Sequence, residues 1–280
     1  MKNIFEPVNR HSENELMLED AYRKALKLDD PVNMSDFSDL YRDVDTDVAR
    51  VEEIERRFKA AETRESEVDA AFRKMAKVFE VIVSEQMEMS NWLGETAMTK
   101  QSSKYDDYIN GVDTIVEFDE TDGATHLALA VDVTSGHELT RKFDRIKKEI
   151  EDGILTKIKY FVSESQGIRG EKANIPRVVI GADRKVIMDL VEKWLEKDQS
   201  ALAEHVVQAI VIEEIIAQLE TFIQYAKSIG QEKVAEVYQR TLGILNRIKT
   251  EKELPEGMIA DAYDDEVFGA INSGLQRFMK

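Results

Sequence analysis

The sequence predicts an α/β fold with an α+β core, in which helices flank a small mixed sheet. Apolar residues recur at helical spacing over residues 44–90, β-rich segments follow between residues 112 and 182, and a helical pattern returns from Asp183 onward. These patterns divide the chain into an N-terminal helical region, an α/β core and a C-terminal helical region, which are residues 1–66, 67–185 and 186–280.

Helical spacing identifies the N-terminal elements. Residues 13–28 predict a short helix that ends before Pro31, because a residue that precedes proline avoids the helical conformation. Residues 44–90 predict a long helical region with one apolar face. The side chains expected to face inward from these two segments are Leu16, Ala21, Leu26, Val68, Phe72, Met75, Phe79, Ile82 and Met89.

The middle of the chain has the patterns of strands. A β-rich segment at residues 112–118 and a nearly continuous apolar run at residues 126–134 predict two antiparallel strands that turn at Asp122-Gly123. The elements expected after them are a helix with a basic outer face, a strand, a polar loop and another strand: residues 137–152, 156–163, 166–174 and 177–182.

Helices are predicted for the rest of the chain, at residues 184–197, 200–229, 231–249 and 258–278. The second of these is apolar over much of its surface. A helix of that kind is buried, so we expect it inside the fold or in the interface of a dimer.

Composition excludes several classes of protein. None of the 280 residues is cysteine, so disulfide scaffolds, thiol catalysis and cysteine-based zinc sites are excluded. The four histidines are scattered, which argues against a histidine-rich metal site. The first residues lack the apolar core of a signal peptide, and the most apolar stretch, residues 206–216, is too short to cross a bilayer. We therefore expect a cytoplasmic protein without membrane contact.

Charge is distributed unevenly along the chain. The formal net charge of −18 argues against general binding of duplex DNA, because like charges repel. Residues 67–139 carry 5 basic and 15 acidic residues, whereas residues 140–185 carry 12 and 7, a net charge of +5. This pattern fits either a solvated helix with surface lysines, or a carboxylate cluster that holds cations beside a strip that holds phosphates.

Three acidic residues are candidates for such a cluster. Asp113 begins the first predicted strand, and Asp132 lies in an apolar run, where an ionised carboxylate is costly unless paired or bound to metal. A turn at residues 122–123 sets them opposite each other, and adjacent carboxylates attract a divalent cation. Glu85 lies against the apolar stripe of its helix. Each also has a purely structural interpretation. Asp113 could cap a turn, Asp132 could accept backbone hydrogen bonds at a strand end, and Glu85 could lie at the rim of the apolar stripe.

These segments resemble the PD-(D/E)XK nuclease superfamily over about residues 67–182. The resemblance is carried by Glu85 on a helix, GVDTIVEF at 111–118, LAVDVTSG at 129–136, the helix at 137–152 and the strand at 156–163. It implies a restriction-endonuclease-like core. The tripeptide ending at Asp113 resembles the strand that bears the family's first metal-binding Asp, and Asp132-Val133-Thr134 resembles its (D/E)xK element.

The resemblance also implies roles for individual residues. Asp113 and Asp132, assisted by Glu85, would hold Mg²⁺ or Mn²⁺, which activates water in such enzymes. Thr134 stands where the family has its catalytic lysine, and a hydroxyl supplies no positive charge. The residues expected to compensate for that lysine are Lys142 and Lys147 on the following helix, and those expected to track phosphates are Arg141, Arg145 and Lys148.

The predicted function is therefore that of a metal-dependent nuclease. The alternative is a non-catalytic interaction protein that retains the fold and dimerises, or binds a protein partner, through its C-terminal helices. Thr134 and the net charge of −18 favour this alternative.

Overall fold

The computed structural model describes residues 9–119, 125–131, 137–163 and 166–279. Within these ranges the helices are Asn9–Leu28 (α1), Val44–Glu62 (α2), Glu67–Met89 (α3), His137–Asp152 (α4), Arg184–Glu196 (α5), Gln199–Ala203 (α6), Val207–Ser228 (α7), Glu232–Lys252 (α8), Glu256–Tyr263 (α9) and Glu266–Leu275 (α10). The strands are Ala97–Gln101 (β1), Thr114–Phe118 (β2), Thr125–Val131 (β3), Thr156–Ser163 (β4), Ile168–Ile175 (β5) and Arg177–Ile180 (β6).

Helices flank two small sheets, which confirms the mixed α/β class. The larger sheet has the order β1-β2-β3-β6, in which β3 pairs with β6 in parallel and the other neighbours are antiparallel. Strands β4 and β5 form a separate antiparallel pair. No helix in the described ranges has the length and apolar character needed to cross a bilayer.

The sequence patterns did not predict strands β1 and β5. Strand β1 buries only Ala97 fully, and β5, which was predicted as a polar loop, buries only Ile175. Strands that expose most of their side chains give no apolar alternation for a pattern to detect. The predicted loop at residues 166–174 is therefore wrong, while the strands predicted at 156–163 and 177–182 are confirmed in different sheets.

The first helix buries a different stripe from the predicted one. Leu16 and Leu26 are 66% and 50% exposed, and the inward face consists of Leu18, Ala21 and Ala25. These three residues are spaced three and four positions apart, as one helix face requires. The two alanines have small side chains, which allow α1 to lie close against α3.

The predicted helical region 44–90 consists of two helices. Ser66 separates them, because its side chain accepts a hydrogen bond from the backbone N–H of Asp69 and so begins α3. Met75, Phe79 and Ile82 of the predicted face are buried. Val68 and Met89 are 63% and 61% exposed. They lie at the two ends of α3, beyond the part of the helix that packs against the core.

Helix α7 is inside the fold, as its composition predicts. Its buried residues share one apolar core with side chains of α1, α3 and the larger sheet. The predicted helix 200–229 is divided at His205, whose Nδ1 accepts a hydrogen bond from the N–H of Val207. The predicted helix 258–278 divides at Asp265, which caps α10.

Polar side chains of α7 cover the open edge of β6. Gln218 accepts from the N–H of Val179 (2.8 Å) and donates to its carbonyl (2.6 Å), while Glu214 accepts from the N–H of Gly181 (2.9 Å). An edge strand leaves its backbone groups unpaired unless something covers them. These bonds therefore join the C-terminal helices to the sheet.

Candidate functional site

A cleft of about 300 Å³ lies between α1, α3 and the segment before β2. Four carboxylates from different parts of the chain line it: Asp29, Glu80, Asp107 and Asp113. Asp29 follows α1, Glu80 belongs to α3, Asp107 lies in the single π-helical turn Asp106–Asn110, and Asp113 directly precedes β2. We call this group the acidic cluster.

A buried neighbour fixes the orientation of the turn that carries Asp107. Asp106 is fully buried, and its carboxylate accepts from the side chains of Ser103 (2.8 Å) and Asn110 (2.6 Å). It also accepts from the backbone N–H groups of Lys159 (2.9 Å) and Tyr160 (3.0 Å) on β4. With Asp106 tied to β4, the adjacent Asp107 lines the cleft.

Gly111 ends this turn with a backbone that favours glycine. Its φ of +62° is left-handed, and a Cβ there would meet the Arg145 guanidinium at 2.9 Å. Arg145 donates to the carbonyl of Ile109 (2.7 Å), and Arg177 donates to that of Gly111 (3.2 Å). Two arginines therefore hold the end of the turn.

Lys77 lies within the acidic cluster. Its Nζ is 2.7 Å from Asp29 Oδ1 and 2.9 Å from Glu80 Oε1. Burial opposes its positive charge, but the carboxylates of Glu80 and Asp29 outweigh that effect and raise its pKa. Lys77 is therefore a permanent cation at this site.

The cluster has more negative charge than Lys77 neutralises. Burial, followed by repulsion from Asp113, raises the pKa of Glu80 to about 7. Burial and the charges of Asp113 and Glu80 raise the pKa of Asp107 well above its ordinary value, and the two aspartates share a hydrogen bond. Burial of Asp107 beside two further carboxylates therefore favours its protonated form.

The donor set has the chemistry of a divalent cation site. Carboxylate oxygens are the ligands that Mg²⁺ and Mn²⁺ prefer, and Asp107, Asp113 and Glu80 supply them from three segments. In the part of the chain that the structure describes, no three acidic or histidine side chains are already arranged around one metal position. Within the cluster, Lys77 pairs with Asp29 and Glu80 instead.

The structure brings Asp113 to the cleft but not Glu85. The carboxylate of Glu85 accepts a hydrogen bond from the indole N–H of Trp194 on α5 (2.6 Å). Glu80 and Glu85 are five positions apart, so they point in different directions from α3. Glu80, and not the predicted Glu85, is therefore the carboxylate of α3 that lines the cleft. Its signal was its position inside the apolar run Val78–Val83, where a charge needs a partner.

Asp132 and Thr134 lie outside the described residues. In the observed hairpin, Thr114 pairs with Leu129 and Phe118 with Thr125. This register differs by two residues from the one that would set Asp113 opposite Asp132.

Neither of the two α4 lysines that were expected to compensate for the missing catalytic lysine lines the cleft. Lys147 donates to the Arg277 carbonyl (2.9 Å), and its Nζ lies 5.2 Å from the ring centroid of Tyr225. It therefore contacts the C-terminal helices. Lys142 is half-buried on α4 and is also absent from the cleft wall. Lys77, which sequence analysis missed, is the lysine of the acidic cluster.

The basic face of α4 is only partly exposed to solvent. Arg141 and Lys148 are exposed, as a phosphate-binding strip would require. Arg145 is committed to the Ile109 carbonyl, so it holds the turn beside the cleft. Arg177 was also missed, and its buried guanidinium pairs with Glu149 (2.9 Å).

Comparisons of the chain with protein-family models, with curated proteins and with solved structures find no match. The site is therefore interpreted from its own geometry.

Proposed function

We propose that the protein is a PD-(D/E)XK-like nuclease that hydrolyses phosphodiester bonds with Mg²⁺ or Mn²⁺ at the acidic cluster. The observation that carries the proposal is the convergence of Glu80, Asp107 and Asp113 beside Lys77 in one cleft. Support also comes from the order of elements around it: α3, β2, β3, α4 and a further strand, β6, in the same sheet.

The residues at the cleft fit the cation that this function needs. Asp113, Glu80 and Asp107 would hold it, and Asp132 is a fourth candidate from the sequence. Burial and the charge of Asp113 raise the pKa of Glu80 to about 7, and a divalent cation would balance the negative charge that these carboxylates bring together. When bound, the metal supplies a nucleophilic water and stabilises charge on the phosphoryl oxygens.

Lys77 takes the role of the lysine that Thr134 replaces. Its ammonium is held by Asp29 and Glu80, so it stays within 2.9 Å of a proposed ligand carboxylate. A positive charge fixed at this position favours the negative charge that develops on the phosphoryl group. Asp29 positions Lys77 and does not itself need to contact the substrate.

A second candidate is a binding protein without catalysis. Lys77 already serves as an internal cation for Asp29 and Glu80, and this observation favours a cluster that needs no metal. The apolar face of α7 is covered by the chain itself, so a partner would have to bind elsewhere on the C-terminal helices.

The two candidates are separated by titrating the protein with Mn²⁺ in a calorimeter and by assaying cleavage of labelled DNA and RNA. The nuclease proposal expects Mn²⁺ binding and Mn²⁺-dependent cleavage. Glu80→Gln or Asp113→Asn should reduce the cleavage rate by more than about 100-fold. Mutation of residues that only support metal ligands already lowers metal affinity or activity by about 10–100-fold.

Glu85→Gln is the matched control, because it removes a carboxylate from the same helix outside the cleft and keeps an acceptor for Trp194. It should cleave like the wild type. Absence of both Mn²⁺ binding and cleavage would refute the nuclease and leave the binding protein.

A further inference from the structure

We propose that the cleft accepts one unpaired nucleotide at a time. The substrate is then a free nucleotide ester or the single-stranded end of a nucleic acid, and not a continuous duplex. This inference rests on the proposed function, because the acidic cluster defines where the phosphate lies.

The volume of the cleft limits the size of the substrate. Ligand pockets span about 300–1,000 Å³, and this cleft, at about 300 Å³, is at the lower end. The carboxylates lie toward its interior, since the Glu80 side chain is only 16% exposed. A phosphate that reaches them must bring its own nucleotide into the cleft and leave its neighbours outside.

The wall formed by α1 makes this restriction permanent. Tyr22, Leu26 and Pro31 line the cleft on that side. Ala21 and Ala25 on the same helix are fully buried in the main core. Since α1 is packed in this way, moving the wall aside for a wider substrate would disturb the main core.

The chemistry of the wall matches a single nucleotide. Tyr22 and Tyr108 offer aromatic rings, and Arg73 and Lys104 add two cations near the rim. Aromatic rings beside positive charges are the combination on which unpaired bases stack and their phosphates bind. The cations are now held by carboxylates of the chain, as Arg73 is by Glu65 (3.2 Å).

Base pairing should therefore hinder the reaction. A nucleotide within a duplex must be unstacked and unpaired before it enters, and an unpaired end needs much less of this. We expect a blunt duplex to be cleaved at least about tenfold more slowly than a single strand of the same sequence.

The test uses the full-length protein with Mn²⁺ and four substrates. They are the p-nitrophenyl ester of thymidine 5′-monophosphate, a linear single-stranded oligonucleotide, the same strand circularised, and the same strand in a blunt duplex. The expected result is cleavage of the ester, of the linear strand, or of both, and the ratio of their rates identifies the natural source. Equal cleavage of the circle or the duplex overturns the inference while the nuclease function stands.

Binding decides the case in which nothing is cleaved. Equilibrium dialysis with thymidine 5′-monophosphate and Mn²⁺ should show saturable binding, which Tyr108→Leu weakens about tenfold through the loss of stacking. Tyr263→Leu is the control, because Tyr263 is 54% exposed and lies outside the cleft. Binding without cleavage retains the inference and removes the hydrolytic function. Absence of both overturns both.

Discussion

Glu80→Gln should stabilise the protein at pH 8. The pKa of Glu80 rises from the ordinary value of 4.5 to about 7 in the folded chain. One pKa unit corresponds to about 1.4 kcal/mol, so ionised Glu80 lowers the free energy of unfolding by about 3 kcal/mol. Glutamine has nearly the same shape and never ionises, which removes the cost of burying a charge beside Asp113, and Lys77 keeps Asp29 as a partner.

The effect has a defined pH window. Below pH 4.5 the residue is protonated in both the folded and the unfolded chain, and no stability is lost. Between pH 4.5 and about 7 the folded chain binds the proton more tightly, so stability falls as the pH rises. The variant should therefore differ little from the wild type at pH 4.5 and exceed it at pH 8.

Urea unfolding at these two pH values measures the difference directly, and thermal unfolding at pH 8 should show a rise of the order of 5 °C. Glu85→Gln is the control for loss of a carboxylate from α3. If Glu80→Gln is no more stable than the wild type at pH 8, the Lys77–Glu80 ion pair outweighs the repulsion. The account of the acidic cluster as overcharged is then wrong.

Three further predictions concern the frame of the site. Asp106→Ala should cost more than about 2 kcal/mol in urea unfolding, because it leaves buried donors unpaired. Gly111→Ala should cost about 1–2 kcal/mol in the same assay, because φ is +62° and the added Cβ approaches Arg145. Gln218→Leu should cost about 1–3 kcal/mol, and amide exchange at Val179 should accelerate, since its N–H loses its acceptor. Unchanged stability or exchange in any of these variants would contradict the corresponding contact.

The sequence was sufficient to predict an element where its apolar residues follow one clear periodicity. Helix α4 occupies the predicted residues 137–152, and its apolar side chains Phe143, Ile146 and Ile150 are buried. Asp113 was likewise predicted as a candidate site residue, from its position at the start of the first predicted strand. Such elements bury one face against the core, and local spacing records which face that is.

Other features depend on contacts between distant segments. The choice between Glu80 and Glu85 is decided by Trp194, which lies 109 residues from Glu85 and binds it. The role of Lys77 depends on Asp29, which another helix delivers. The turn that carries Asp107 is fixed by β4, and no local pattern contains that information.

The acidic cluster differs in its number of carboxylates from two other buried charges of the described chain, those of Arg177 and Asp106. Arg177 pairs with Glu149, and Asp106 is satisfied by four donors, so each of these charges is balanced for the sake of the fold. At the cleft, four carboxylates face one lysine of the cluster, and two of them have a raised pKa. Packing alone does not require that excess, because neutral side chains of the same shape would fill the space at lower cost. Violations of a local rule are expected where function requires them, and the proposed cation site is a function that would use the surplus carboxylate oxygens.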